Sequence, residues 1–253
     1  MEIMNTKEKI IQALEEAKGE YISGESLAEI YDLSRTAIWK GINELKKEGY
    51  PIESVRNRGY KLSESSDIIS KAGIALCLKE TVRAKKINDM LDRLYVYDSL
   101  DSTNTQAKRE LFFGDFGNFH KTVIVAKSQS SGRGHRGSGF DSPEGGIYFS
   151  MILDPGELPK GEPVTGNAAN IVTEVLEKMY GVKVRRKKDN SLYIGKEKVC
   201  GILTEAVSDL ETGVYSSFIV GIGIRADKLG SLSDCNPSKN AVIASLMERF
   251  DRI

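Results

Sequence analysis

The chain has 253 residues, 40% of them hydrophobic and 28% charged, the make-up of an ordinary globular protein with one large or two smaller domains. Its 36 basic and 36 acidic residues cancel, so any surface for nucleic acid must be a local one. No apolar run reaches the ~18 residues of a bilayer span, the N-terminal MEIMNTKEK lacks a signal-peptide core, and three widely spaced cysteines (Cys77, Cys200, Cys235) with two histidines speak against a disulfide framework or a zinc cluster; a cytoplasmic protein with no membrane partner is expected.

Residues Thr6 to Ala17 predict a helix with Ile10, Ile11 and Leu14 on one face. A short second helix runs from Glu25 to Tyr31, with Leu27, Ala28 and Tyr31 inward. Ser34 suits the N-cap of a third helix reaching about Glu48. In that helix Ala37, Ile38, Ile42 and Leu45 face the core, and Arg35, Thr36, Trp39, Lys40 and Asn43 face outward. Gly49 and Pro51 end it. Strands at Ile52–Val55 and Tyr60–Leu62 flank an Asn57-Arg58-Gly59 turn, a hairpin signature. Three helices and a hairpin make a winged helix-turn-helix. Between Arg35 and Lys61 stand seven basic residues against three acidic ones, a surplus on the third helix and the wing, where phosphates of double-stranded operator DNA would lie. The expected DNA-contacting residues are Ser34, Arg35, Thr36, Trp39, Lys40, Asn43, Arg56 and Arg58. The blander alternative is a small helical packing domain with a solvated charged face.

Ser63 to Asp67 is polar and turn-prone, which divides the chain into domains 1–63 and 64–253. A helix over Ile68–Leu78 follows. Strands are predicted at Leu94–Tyr97, Thr122–Ala126, Gly146–Leu153, Val182–Arg185, Ser191–Ile194, Val199–Ala206 and Ser216–Ile224, and helices at Asn167–Met179 and Asn240–Phe250. The expected class is α+β, with helices on one face of the second domain's sheet.

Four segments there carry candidate chemistry. Asp101-Ser102-Thr103-Asn104 opens a helix, where hydroxyls and free backbone N–H groups converge. In Gln129 to Gly137, glycines allow a ligand close to the backbone and arginines suit a carboxylate or phosphate. Lys198 precedes Gly201 on one strand, and Gly221 and Gly223 lie on another. Singly each is weak: a helix cap, a solvated lysine, a strand bulge. Gly132, Gly134 and Gly137 fit GxGxxG, but Pro143 and further glycines follow in place of the helix a dinucleotide fold needs.

The stretch SRTAIWKGINELKKEGYPIESVRNRGYKL resembles the DNA-binding domain of the biotin-operon repressor (BirA) family, and the four segments, in their order, resemble the catalytic domain of biotin protein ligases. In that family the domain forms biotinyl-5′-AMP from biotin and ATP and passes biotin to a lysine of a carrier protein; the adenylate is also a corepressor promoting dimerisation and operator binding. The resemblance implies a biotin site of Ser102, Thr103, Gln129, Gly132, Arg133, Lys198, Gly201, Leu203, Gly221 and Gly223, with Lys198, Lys187 and Arg133 in catalysis.

The nucleotide side departs from the family pattern. Lys187-Lys188-Asp189-Asn190-Ser191 stands where the family has Lys-Trp-Pro-Asn-Asp, so Ser191 replaces an acid, with Asp189 nearby. His135 and Ser138 replace loop arginines beside the retained Arg136, Phe140 replaces a tryptophan, and Arg225 an asparagine. The segment from Arg225 to Ser238 is shorter than the family's adenylate-covering loop, and the chain stops at Ile253, where the family continues into a small β domain. The expectation is a biotin-responsive, homodimeric repressor whose ligase activity is weak or lost. Two alternatives stay open. One is an active bifunctional biotin–[acetyl-CoA carboxylase] ligase and repressor, using ATP, Mg2+ and a biotin carrier protein. The other is a regulator sensing lipoate or a biotin precursor.

Overall fold

The computed structural model describes residues 5–113, 119–158, 163–208 and 213–253. The N-terminal unit has helices α1 (Thr6–Glu16), α2 (Gly24–Tyr31) and α3 (Arg35–Lys47) and a hairpin of β1 (Ile52–Val55) and β2 (Gly59–Leu62). Each helix starts on a polar cap: Asn5 closes a capping box with Glu8, and Ser23 and Ser34 accept from the backbone N–H of Ser26 and Ala37. Ile10, Leu14, Leu27, Ile38, Ile42, Leu45 and Leu62 form its core. Gly41 lets α3 close on α1, since a Cβ there would lie 2.5 Å from Ile10 Cδ1. Asn57 takes φ 64° in the turn, a conformation asparagine tolerates. Ile52 pairs with Leu62 across the hairpin.

The connecting segment is tied to the second domain. Asp67 accepts from the backbone N–H of Lys239 at 2.7 Å and from its ammonium at 2.6 Å. Asn240 accepts from Ser70 N and donates to the carbonyl of Ile68, both at 3.0 Å. Ile68 and Ala72 also pack against the N-terminal core, and Lys79 pairs with Glu16 at 3.2 Å.

The second domain is built on a sheet of seven strands in the order β3-β4-β5-β9-β8-β7-β6. They are β3 (Leu94–Leu100), β4 (Thr122–Gln129), β5 (Ile147–Leu153), β6 (Arg185–Arg186), β7 (Leu192–Ile194), β8 (Glu197–Ser208) and β9 (Tyr215–Ile224). β3 and β4 are parallel and the other neighbours antiparallel. β5 is buried along its whole length, as a central strand covered on both faces must be.

Helices α4 (Lys71–Lys79), α5 (Ala84–Asp92), α7 (Val164–Tyr180), α8 (Ala226–Ser231) and α9 (Lys239–Phe250) contribute to the main core, into which Val123, Val125, Met151, Leu153 and Val220 point. The alternate residues Ile124, Ile152 and Ile219 point the other way and pack with Ala107 of α6 (Thr103–Phe113). Helices therefore cover both faces, not one: strands apolar at every position are buried on both sides, and α6 supplies the second cover.

Two helices, α5 and α8, go beyond the sequence expectation. α5 has no side-chain cap and α8 is six residues long, so both lack a start signal. The predicted strand Val182–Arg185 shrinks to Arg185–Arg186, because the N–H of Val184 is taken by the Glu177 carboxylate at 2.9 Å, not by a strand partner.

Candidate functional site

The pocket lies on the α6 side of the sheet. Gly201 of β8 faces Gly223 of β9, and Leu203 faces Gly221. Across β9 the same glycines face Tyr148 and Ser150 of β5. The result is a floor nearly bare of side chains. A Cβ on Gly221 would lie 2.3 Å from Asn104 Oδ1, and one on Gly223 2.4 Å from the Phe140 ring. These glycines are needed for close approach of side chains to the strands.

The N-terminus of α6 and the end of β4 supply the polar wall. Ser102, Thr103 and Asn104 are buried. Gln129 Oε1 accepts from Thr103 N at 2.8 Å and from Thr103 Oγ1 at 3.2 Å, while its Nε2 donates to Ser142 Oγ at 2.9 Å. Ser142 donates in turn to the Phe140 carbonyl at 2.8 Å. Gly132 sits behind this loop, where a Cβ would be 2.3 Å from that carbonyl. Glu205 accepts from Asn104 Nδ2 at 2.8 Å and from Lys108 Nζ at 2.6 Å. Burial works to raise the Glu205 carboxyl, but the hydrogen bonds from Lys108 and Asn104, with the charges of Lys108 and Arg133, outweigh it and hold it below its ordinary value.

The rest of the lining is polar and charged: Arg133, His135, Ser138, Asp189, Ser191 and Lys198. Ser191 donates to Asp189 from its backbone N–H at 3.2 Å and from its hydroxyl at 3.0 Å. Burial works to raise the Asp189 carboxyl, but the Ser191 hydrogen bonds and the charge of Lys198 prevail and hold it below its ordinary value. Phe140 lies across the glycine floor, edge-on to Tyr148, with Lys198 and Arg225 within 6 Å of its ring at 5.9 and 5.8 Å. A small neutral ring system fits the floor and polar wall, and an anionic tail fits the cations Arg133 and Lys198.

Of the expected site residues, Ser102, Thr103, Gln129, Arg133, Lys198, Gly201, Leu203, Gly221 and Gly223 surround this one cavity. His135, Phe140 and Ser191 from the nucleotide side join them. Lys187 instead lies over the Tyr193 ring, 3.7 Å from its centroid. Asn190, at φ 61°, turns away to accept two hydrogen bonds from Arg186, at 2.9 and 2.6 Å. The side chain of Arg136 lies outside the described residues. Sequence reasoning missed Ser142, Ser150 and Glu205 as parts of the site, and singled out Asn104 only as part of the segment that opens a helix. Ser150 had a signal: it is the lone polar residue of the apolar strand Ile147–Leu153.

On the N-terminal unit, Ser34, Arg35, Thr36, Trp39 and Lys40 are exposed along α3, Asn43 is half-buried, and Arg56 and Arg58 are exposed on the wing. Trp39, Lys40, Asn43, Glu44, Lys46 and Lys47 share a shallow groove, and Trp39 is 60% exposed. Arg58 stacks on Tyr21 with its guanidinium carbon 4.0 Å from the ring centroid. Among the described residues no helix is long and apolar enough to cross a membrane, and no cluster of three or more His, Cys, Asp or Glu could hold a metal ion.

Comparison with known proteins accounts for both parts. Residues 6–61 match a helix-turn-helix (HTH) domain family, and residues 96–224 match the biotin/lipoate A/B protein ligase family. The bifunctional ligase/repressor BirA of Bacillus spizizenii is 33% identical, over 97% of this chain and 73% of its own length. That of Bacillus subtilis is 34% identical, over 88% of this chain but 65% of its own length. Among solved structures, the biotin protein ligase from Aquifex aeolicus in complex with biotin and ATP aligns with a TM-score of 0.51 at 27% identity, over 63% of this chain and 68% of that one. With a helix-turn-helix domain in front and a ligase-type sheet behind, the chain belongs to the biotin/lipoate A/B protein ligase family, within the branch of BirA-like ligase/repressors.

Proposed function

We propose that the chain is a biotin-responsive repressor: a cytoplasmic homodimer that binds operator DNA through α3 and the wing, binds biotin in the pocket, and forms biotinyl-5′-AMP slowly. The observation that carries this reading is the pocket's mixed lining. A glycine floor and a polar wall of Thr103, Asn104 and Gln129 share one cavity with the cations Arg133 and Lys198. Biotin is a neutral bicyclic urea on a carboxylate tail, so its ring suits the floor and wall and its tail the cations. The relatives support a repressor with a ligase-type domain and fit the full ligase equally well, since both BirA relatives carry the name bifunctional ligase/repressor and a similar ligase holds biotin and ATP. A full ligase acting on a carrier protein is the second reading. It is favoured by Asp189, which lines the pocket beside Ser191 and could hold the Mg2+ accompanying ATP.

Titration calorimetry with biotin, desthiobiotin and lipoate, with and without ATP, tests the ligand. Biotin is expected to bind without ATP and more tightly than lipoate, which has no ureido group. No heat at millimolar biotin would sink the reading and leave a different ligand. The DNA half is tested by substitution. Arg35→Ala and Lys40→Ala are expected to weaken operator binding with the melting temperature unchanged, because both side chains are exposed. Arg58→Ala should weaken binding to all sequences alike and reduce the slope of log K against log salt by about one. If all three variants bind as the wild type does, the DNA surface lies elsewhere.

A further inference from the structure

A hydrogen-bonded chain runs beneath the pocket. Lys108 Nζ and Asn104 Nδ2 donate to the two oxygens of Glu205, at 2.6 and 2.8 Å. Asn104 Oδ1 lies 2.6 Å from Ser150 Oγ, which is 2.7 Å from Thr103 Oγ1. Thr103 then meets Gln129, Gln129 meets Ser142, and Ser142 meets the Phe140 carbonyl. Ser150 is fully buried, and Thr103 and Asn104 are each 4% exposed, so water does not arbitrate these bonds.

The direction of every proton follows from the two ends. A carboxylate only accepts, so Asn104 must turn its NH2 toward Glu205, at 2.8 Å, with a longer second contact to the Leu203 carbonyl at 3.5 Å, and its oxygen toward Ser150. That oxygen carries no hydrogen, so Ser150 spends its single proton there. Ser150 can then only accept from Thr103, whose proton goes either to Ser150 or to Gln129 Oε1. At the far end the Phe140 carbonyl also only accepts. It takes the Ser142 proton, which turns Gln129 Nε2 toward Ser142 and Gln129 Oε1 toward Thr103. Both ends draw protons outward, so the centre keeps its acceptor capacity on Asn104 Oδ1, Thr103 Oγ1 and Gln129 Oε1, and all three residues line the cavity.

We propose that Glu205, which does not line the cavity, is a positioning residue: through the Asn104 amide it sets the hydrogen-bond polarity of the pocket, so that the wall offers acceptors to the N–H donors of a cyclic urea. This rests on the biotin reading above. Glu205 and Lys108 are partly exposed, with side chains 23% and 31% accessible, and such a pair adds little to stability. Its effect lies in direction. Gly221 adds a second constraint, since the amide lies close against its bare backbone.

The test exploits the donor-only character of Lys108. In Glu205→Gln, Lys108 claims the glutamine oxygen, the glutamine NH2 faces Asn104, and the Asn104 amide flips to present NH2 to Ser150. Biotin is expected to bind about tenfold more weakly, with much less loss for a biotin analogue methylated on its ureido nitrogens. Lys108→Met keeps the carboxylate and should bind biotin as the wild type does. In the double variant Lys108→Met/Glu205→Gln the glutamine is free to turn its oxygen to Asn104, and binding should return to near wild type. A merely structural role would make the double variant worse than either single one. NMR of the ligand-free protein reads the amide directly: NOEs from the Asn104 NH2 should run to the Glu205 side in the wild type and to the Ser150 Hβ protons in Glu205→Gln. Wild-type affinity in Glu205→Gln, no recovery in the double variant, or an unflipped amide would overturn the proposal. If the wild type itself fails to bind biotin, the functional reading falls, while the NOE pattern still decides the role of Glu205.

Discussion

Gly221→Ala is expected to weaken biotin binding by about one to two orders of magnitude while leaving the sheet folded. The added methyl would stand 2.3 Å from Asn104 Oδ1, 2.9 Å from its Cγ and 3.0 Å from its Nδ2. A flexible side-chain end could swing away, but this amide is held by Glu205 at 2.8 Å and by Ser150 at 2.6 Å. To yield, it must break one of these bonds and leave a buried polar group unmet, at a cost of about 1–3 kcal/mol. The displacement passes to Ser150 and Thr103, the groups that shape the polar wall. Gly223→Ala is the control. Its methyl meets the Phe140 ring at 2.4 Å, and that ring belongs to a loop and can shift, so the loss of biotin affinity should be several-fold smaller. Calorimetry on both variants, with thermal melts to verify folding, distinguishes them. Equal losses, or none, would show that the Asn104 amide is not the fixed element.

That contrast between a locked and a movable neighbour was beyond the sequence. The glycines of β8 and β9 could be picked out as places of close approach, but what approaches them is set by strand register. Asn104 and Glu205 are 101 residues apart and Asn104 and Ser150 are 46 apart; no local pattern joins them. The winged helix-turn-helix was legible because its signals are local: serine caps, a 3.6-residue period and an asparagine-glycine turn. Helix α5 carries Ile87, Met90 and Leu91 at helical spacing, but Arg83 caps it with no side-chain bond, so its start is unmarked. The two-sided burial of β4 and β5 erased the alternation that would have told one face from the other, and α6 was therefore not placed opposite the other helices. On the nucleotide side a motif read position by position put Lys187 and Asn190 in the site. The left-handed turn at Asn190 sends its side chain to Arg186 and brings Asp189 to the pocket instead.

Formation of biotinyl-5′-AMP is expected to be slower than in the Aquifex aeolicus ligase assayed side by side, by about 10²–10³. Joining a carboxylate to a phosphate brings two anions together, and the transition state gathers more charge on its oxygens, so fixed cations are the main source of rate. Arg133 and Lys198 supply charge along the pocket. His135 and Ser138 line it as well, and neither offers the bidentate fork of an arginine. Ser138 is instead spent on the His135 carbonyl, at 2.9 Å. The double substitution His135→Arg/Ser138→Arg is therefore expected to raise the rate at least about tenfold. Ser191→Asp should act in the opposite sense. Its hydroxyl and backbone N–H both serve Asp189, so a second carboxylate there would remove one of these bonds and set two like charges side by side. Asp189 already presents an acid to the pocket, and adding another is expected to lower the rate. A wild-type rate equal to that of the Aquifex aeolicus ligase would decide for the full bifunctional enzyme, with Asp189, Arg133 and Lys198 sufficient for the chemistry.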